Sequence, residues 1–180
     1  MDDVDSRMKV LLPPATGGTQ IQPTCLAKRD IGICVLAEDG AIIDLNERAA
    51  ALMEIPRRRA VGMQFGDAFC CANSILRGCG NGVNCRHCPL RKNIEAAILH
   101  DDFQGDFTVA MESRNRAAPL WLKIYVTQGY LAHHKRIIVT MLDLATHDIA
   151  ALEEAITRLG SNPQNYLAQV TDFFGLSLSA

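Results

Sequence analysis

The alternation of apolar and polar positions near the start of the chain predicts a β-hairpin followed by a short helix. Two apolar runs rich in β-branched residues, at 31–36 and 41–45, are separated by an Asp-Gly pair, which is typical of tight hairpin turns. Asn46 follows the second run directly and is a favourable N-cap for a helix. We expect this helix to end at Pro56, because proline interrupts helical hydrogen bonding.

The second half of the chain predicts one longer helix and three strands. Pro89 suits a first helical turn, and apolar residues recur at helical spacing from Leu90 to an expected end near His100. The last apolar run is nearly continuous, which is typical of a central strand. The predicted strands are 107–111, 120–127 and 137–144, with turns at 112–119 and near 129–135.

Further helices are expected after the last strand. Thr146 or Asp148 is suited to cap a helix that runs to about Gly160, and a shorter one is expected at 163–174. Four apolar residues of the first helix form a seam suited to a parallel helix pair, namely Ile149, Leu152, Ile156 and Leu159. A homodimer through this seam and packing of the helix on its own sheet both remain open here.

Charge and composition exclude several classes of function. The 180 residues include 18 Lys and Arg against 20 Asp and Glu, so no basic field indicates nucleic-acid binding. No apolar run approaches the roughly 20 residues of a membrane helix, and the acidic start is unlike a secretory signal. We therefore expect a cytoplasmic protein that makes no contact with a membrane. No phosphate loop, nucleophile elbow or metalloprotease helix occurs, which predicts a protein that is not an enzyme.

Seven cysteines are the chemically unusual feature of the chain. A reducing compartment and an odd count both weaken an interpretation as disulfides, so metal ligation or redox chemistry becomes the leading hypothesis. Intervening glycines allow the backbone to fold around a compact centre at residues 71–88. The candidate ligands, separated by seven, five and two residues, are Cys71, Cys79, Cys85 and Cys88.

Thiolate sulfur is the soft ligand expected for an iron–sulfur cluster or for zinc. Structural zinc sites usually carry two short cysteine pairs, whereas here only Cys85 and Cys88 are closely spaced. Ligands spread along a loop, and a ligating cysteine followed by proline as in Cys88-Pro89, both occur in iron–sulfur proteins. The sequence therefore favours an iron–sulfur cluster over zinc, and a metal-free Cys85/Cys88 dithiol stays open.

The remaining cysteines and the histidine between two ligands are assigned lesser roles. Cys70 adjoins Cys71 and is the substitute ligand if Cys71 does not bind. His87 is expected to face solvent or to donate a hydrogen bond from outside the ligand shell. Cys25 and Cys34 are expected to be structural thiols, since Cys34 lies within an apolar strand.

The order of elements and several short motifs resemble a PAS domain, the small ligand-sensing module of many bacterial signalling proteins. The similarity covers about residues 26–144. Its motifs are Glu38-Asp-Gly40, Ile43-Asp-Leu-Asn46, Ala49-Ala-Ala-Leu52 and Val61-Gly62, followed by the three long strands. Residues 67–98 also resemble an insertion found in a subgroup of bacterial PAS domains, through Cys71-Ala-Asn73, Cys79-Gly80 and Cys85-Arg-His-Cys88.

The resemblance implies an α+β fold, in which a five-stranded antiparallel sheet carries helices on one face and is followed by a C-terminal helical extension. We expect a flexible arm at 1–24, a PAS-like sensory domain at 25–145 with a cysteine-rich metal loop at 67–90, and a signalling or dimerisation segment at 146–180. The implied role is sensory.

The implied signal depends on what the cysteines bind. An iron–sulfur cluster predicts a response to redox state, oxygen or a related gas, passed through the C-terminal helix to a histidine kinase or another output partner. The alternatives are a zinc-stabilised PAS domain for protein interaction or ligand binding, and a thiol–disulfide redox protein.

Overall fold

The computed structural model describes residues 30–131, 133–145, 149–150 and 153–154. The predicted arm at 1–24, Cys25 and most of the predicted segment at 146–180 lie outside the described residues. Among the helices that are described, none combines the length and the apolar character needed to cross a membrane.

Five antiparallel strands form one sheet. In chain order they are β1 (Ile31–Leu36), β2 (Ile42–Leu45), β3 (Gln104–Met111), β4 (Leu120–Leu131) and β5 (His134–Asp143). Their spatial order is β2-β1-β5-β4-β3, so the last strand lies in the middle of the sheet. This confirms that β5 is central, as its continuous apolar run predicts: both of its edges are paired, to β1 and to β4.

The helices cover one face of this sheet. They are α1 (Glu47–Met53), α2 (Arg57–Ala60), α3 (Phe65–Ala68) and α4 (Pro89–Leu99), with a 3-10 turn at Cys85–His87 before α4. Leu52 from α1 and Leu90 from α4 belong to the same buried cluster as Ile124 of β4. The α+β fold with a five-stranded antiparallel sheet and helices on one face is therefore confirmed.

Residues of β4 alternate between the core and the opposite face, as the sequence pattern predicts. Leu122, Ile124 and Val126 are almost completely buried and pack with the helices. Trp121, by contrast, leaves 56 % of its surface exposed. Since successive side chains of a strand point to opposite faces, Tyr125 also lies on the face away from α1 and α4.

Asn46 joins the hairpin to the first helix and confirms the predicted N-cap. Its Oδ1 accepts hydrogen bonds from the N–H groups of Ala49 (2.9 Å) and Ile33 (3.0 Å). Its Nδ2 donates to the carbonyl of Ile31 at 2.9 Å. One buried side chain therefore caps α1 and fixes it to β1.

Three predicted boundaries were wrong. The turn expected near 129–135 is a continuation of the β4–β5 ladder, in which Gly129 pairs with Arg136 and Leu131 with His134. Strand pairing uses main-chain hydrogen bonds and does not require apolar side chains. The polar residues at 129–135 therefore did not indicate that the two strands continue here. Strand β3 begins at Gln104, three residues before the predicted start. Helix α1 ends at Met53, because Glu54 adopts a left-handed conformation (φ 56°) before Pro56 is reached.

The region between Arg57 and Cys88 contains more helix than the sequence predicts. Helices α2 and α3 are single turns that bury Ala60 and Phe65. Such short helices carry too few residues to show a periodicity. They place the start of the cysteine-rich loop against the core.

The described part of the C-terminal segment, residues 149–150 and 153–154, is helical. The Tyr125 hydroxyl donates a 2.8 Å hydrogen bond to Oε1 of Glu153. Glu153 therefore contacts the sheet face opposite to α1 and α4. Three of the four residues of the predicted dimer seam lie outside the described residues, so the homodimer stays a prediction.

Candidate metal centre

The four predicted ligands, Cys71, Cys79, Cys85 and Cys88, all line one cavity of about 650 Å³. The cavity lies between α3, the cysteine-rich loop, the first turns of α4 and the end of β3. Its apolar wall is formed by Phe65, Leu90, Ile94, Ile98, Val109 and Met111. The tertiary structure therefore gathers thiols that are spread over 18 residues of sequence.

Cys71 is held by the turn between β3 and β4. The N–H of Ala72 donates to the carbonyl of Glu112 at 2.9 Å, and the N–H of Arg114 donates to the carbonyl of Cys70 at 3.1 Å. These bonds pin the main chain on both sides of the Cys71 side chain. Cys70 has a positive φ of 50° and is not part of the cavity wall, so Cys71 is the better placed of the two adjacent thiols.

Cys79 is held by the single-turn helix α3. Its N–H donates a 2.8 Å hydrogen bond to Oδ1 of Asp67 in α3. The Cys79 Sγ packs directly on Gly66, where an added Cβ would lie 2.6 Å from the sulfur and 3.7 Å from the Cβ of Cys71. The contact with Cys71 is an ordinary one, so it is the Cys79 sulfur that requires glycine at position 66.

Cys85 and Cys88 are placed by the start of α4. The Cys85 N–H donates to the carbonyl of Gly82 at 3.0 Å, and the Cys88 N–H donates to the carbonyl of Cys85 at 3.1 Å. Cys88 is the N-cap residue of α4, and Pro89 occupies the first turn as predicted. Cys85 is buried, whereas Cys88 is half-buried beside the core.

A second glycine closes the loop around these thiols. A Cβ at Gly82 would overlap the carbonyl oxygen of Asn73 and would lie 3.1 Å from the Sγ of Cys85. The amide of Asn84 donates to the side-chain oxygen of Asn73 at 3.1 Å and links the same two stretches. Gly82 therefore permits a close backbone approach, which agrees with the compact loop expected from its glycines.

The thiols share one electrostatic environment. Burial raises the pKa of Cys71, and the nearby thiols of Cys88 and Cys85 raise it further, against hydrogen bonds from the Asn73 and Ser74 backbone. Burial also raises the pKa of Cys79. A backbone hydrogen bond from Gly66 lowers this pKa, whereas Asp67, Cys85 and Cys71 raise it further. A positive ion or cluster would relieve this mutual repulsion.

The donor chemistry and the glycine-lined cradle fit a thiolate-bound metal group. Across the described residues, the side chains as placed bring no three histidines, cysteines, aspartates or glutamates close enough to share one ion. The four cysteines nevertheless all line the same cavity.

Two polar residues of the site were not predicted from the sequence. Asp67 holds Cys79, and Arg91 of α4 reaches across the loop to Gly80. Neither belongs to a recognisable motif, and only the fold brings them to the thiols.

His87 lines the cavity with an exposed side chain. Cys34 is fully buried in β1, and this burial, together with Asp44, raises its pKa strongly. Cys34 is thus a core thiol, as predicted.

No protein-family model and no curated protein sequence matches the chain. Solved structures with a similar course of the chain are PAS or related sensory domains. The PAS domain of an HTR-like protein from Haloarcula marismortui has 14 % identity and a TM-score of 0.46, with 67 % of this chain and 93 % of that chain covered.

Two further solved structures resemble the chain to a comparable degree. The photoactive yellow protein domain of the sensor histidine kinase Ppr from Rhodospirillum centenum has 14 % identity and a TM-score of 0.47, covering 63 % of this chain and 92 % of that chain. The PAS domain of BvgS from Bordetella pertussis has 13 % identity and a TM-score of 0.45, covering 73 % and 88 %.

Proposed function

We propose that this chain is a PAS-type sensory module that binds an iron–sulfur cluster through Cys71, Cys79, Cys85 and Cys88. The observation that carries the proposal is the convergence of these four thiols on one cavity. The sequence selects them from their residue type, their spacing between glycines and the resemblance of Cys71-Ala-Asn73 to the PAS insertion, and none of these requires the four thiols to line one cavity. The predicted hairpin, the Asn46 cap and the central β5 support the PAS assignment.

The cavity supports a cluster better than a single zinc ion. Zinc–sulfur bonds of about 2.3 Å draw four thiolates tightly around one point. A cluster holds its thiolates on different iron atoms and therefore accepts sulfurs that stand farther apart. Among the described residues no three potential ligands lie close enough to share one ion, and the cavity that the four thiols line encloses about 650 Å³, so these observations favour the larger group.

A bound cluster supplies a centre whose charge changes on electron transfer or on reaction with oxygen or a related gas. The protein side of the mechanism is the set of supports behind each ligand. Cys88 is the residue before α4, so a displacement of its thiolate acts directly on that helix. Helix α4 packs on the sheet through Leu90 and Ala97, and the opposite face of the sheet contacts Glu153 through Tyr125.

This arrangement supports a route from the cysteine-rich loop through α4 and the sheet to the C-terminal helix. We propose that the helix then acts on a histidine kinase or another output partner, and that two copies pair through it. A two-state packing of the helix is the physical requirement for such a switch.

A zinc-stabilised PAS domain for interaction or ligand binding is the second candidate, because four thiols are also a complete zinc ligand set. A thiol–disulfide protein is a weaker third candidate. Its catalytic thiol must be reached by another disulfide, yet Cys85 exposes only 6 % of its surface.

Purification without oxygen, followed by iron, sulfide and zinc analysis, tests these candidates. The proposal predicts a brown protein containing iron and sulfide, with visible absorbance that bleaches in air or on reduction. Colourless protein with one zinc per chain would replace it with the second candidate. Thiol-exchange turnover in a metal-free preparation would support the third.

Adjacent cysteines provide a matched control for this experiment. Cys71→Ser removes a proposed ligand, whereas Cys70→Ser removes a neighbouring thiol that lies outside the cavity wall. Iron content should fall sharply in the first variant and stay unchanged in the second. Equal iron content in both variants would contradict the assignment of Cys71.

A further inference from the structure

The structure holds Cys79 through a contact that no spacing rule indicates. Cys79 is the ligand farthest from any regular element, since it lies between the single-turn helix α3 and the 3-10 turn. Its N–H donates to Asp67 Oδ1 at 2.8 Å. The neighbouring Gly78 has a φ of 79°, and a Cβ placed there would lie 3.8 Å from Oδ2 of the same carboxylate. The Asp67 carboxylate therefore lies alongside the whole Gly78–Cys79 turn.

The main chain on both sides of Asp67 is also fixed. The Asp67 N–H donates to the carbonyl of Gln64, and the Asp67 carbonyl accepts from the N–H of Cys70, both at 3.0 Å. Phe65 and Ala68, the first and last residues of α3, are almost fully buried. Asp67 is thus a rigid point on the core side of the loop, and a carboxylate bonded to a backbone N–H makes a comparatively strong hydrogen bond.

We propose that Asp67 is the positioning residue for Cys79, and that its carboxylate keeps this thiol in the cavity before any metal group binds. One consequence rests on the proposed function: loading of the metal group needs a Cys79 that is already in position. The hydrogen bond between Asp67 and Cys79 is present in the metal-free chain and does not depend on that function. A ligand ordered in advance costs less conformational entropy when the metal group binds.

Two substitutions separate geometry from charge. Asp67→Asn removes the charge but keeps a side-chain oxygen that accepts the Cys79 N–H. Asp67→Ala removes both. Asp143→Ala is the matched control, because Asp143 Oδ1 also accepts a backbone N–H, that of Ala145 at 3.0 Å, away from the cavity.

The first measurement uses the reduced, metal-free full chain. Alkylation by N-ethylmaleimide, resolved by peptide mass spectrometry, gives a labelling rate for each cysteine. We expect Asp67→Ala to raise the rate at Cys79 about fivefold, the factor that corresponds to one lost hydrogen bond, with Cys71 unchanged. Asp67→Asn should raise the Cys79 rate by a smaller factor, because it removes only the charge that helps to raise the pKa of Cys79, and Asp143→Ala should leave Cys79 near its original rate. An equal increase in Asp67→Asn and Asp67→Ala would show that charge is responsible and would overturn the proposal, as would no increase in either.

The second measurement is iron and sulfide content after anaerobic reconstitution. Asp67→Ala should load less than the unmodified chain, and Asp67→Asn should load normally. If the unmodified chain takes up no iron, the proposed function fails, while the alkylation rates still decide the role of Asp67. If all variants load equally although Cys79 labelling responds as expected, the claimed consequence for loading is wrong.

Discussion

The guanidinium of Arg91 lies against the Cα of Gly80, so a Cβ added at Gly80 would overlap Arg91 Nη1 and lie 2.9 Å from Cζ. Arg91 also forms an ion pair with Glu95 one turn later in α4, at 2.7 Å. The contact joins the turn that follows Cys79 to the helix that follows Cys88. The Arg91 side chain therefore brings the two ligand segments into contact.

Replacement of Gly80 by alanine should lower the free energy of unfolding more than replacement of Gly62 by alanine. Both glycines have a positive φ, 94° and 84°, and alanine in this region costs about 1–2 kcal/mol. An added Cβ meets nothing within 4 Å at Gly62 but displaces Arg91 at Gly80. Urea unfolding of the metal-free protein should show the larger loss for Gly80→Ala.

The extra loss at Gly80 should disappear when Arg91 is removed. In an Arg91→Ala background, Gly80→Ala and Gly62→Ala should cost the same, because only the backbone strain remains. A double-mutant cycle measures this non-additivity. An undiminished excess for Gly80→Ala in that background would show that the contact with Arg91 is not its cause.

Metal uptake should strengthen as the pH rises. Burial raises the pKa of Cys71 and Cys79 above the ordinary value of 9.0, so both thiols are protonated in the metal-free protein at neutral pH. A metal must displace these protons, and its apparent affinity therefore increases with pH and falls in acid. Zinc titration of the metal-free chain between pH 6 and pH 8, with proton release followed by calorimetry in two buffers, measures the effect. A pH-independent affinity would contradict it.

Loss of the Tyr125 hydroxyl should loosen the C-terminal helix at Glu153. The 2.8 Å hydrogen bond is part-buried, and burial together with Glu153 raises the pKa of Tyr125. Tyr125→Phe should speed hydrogen exchange in the peptide that contains Glu153. The free energy of local opening should fall there by about 0.5–1.5 kcal/mol, the net contribution of one hydrogen bond. Tyr130→Phe is the control, because its 2.9 Å hydrogen bond to Asp101 is exposed and lies elsewhere. Equal exchange in both variants would rule out the anchoring role of Tyr125.

Asn46→Ala should be among the most destabilising polar substitutions in the described part of the chain. It removes three buried hydrogen bonds and leaves the Ile33 N–H and the Ile31 carbonyl without this partner. We expect a loss of about 3 kcal/mol or more in urea unfolding, since each buried unsatisfied group costs about 1–3 kcal/mol. Asn81→Ala, which removes one exposed hydrogen bond to the Arg77 carbonyl, should cost less than about 1 kcal/mol. Similar losses for the two variants would contradict the anchoring role of Asn46.

Local patterns predicted the parts of the fold that depend on neighbouring residues. The Asp-Gly turn, the Asn46 cap, the Pro89 start of α4 and the alternation in β4 are each set within a few positions of sequence, and each was confirmed. The extension of β4 and β5 to Leu131 and His134 was missed because main-chain pairing leaves no mark on side-chain polarity. The early end of α1 was missed because nothing in the type of Glu54 requires a positive φ.

The sequence by itself determined which four thiols to consider, because soft ligands at short spacing between glycines are a chemical pattern that can be seen in one dimension. Their convergence was decided only by the tertiary structure. Cys71 is held by the β3–β4 turn, more than 40 positions away in the chain, and Cys79 by Asp67. Such contacts depend on which backbone groups the folded sheet and helices bring together, and residue type and spacing do not encode them.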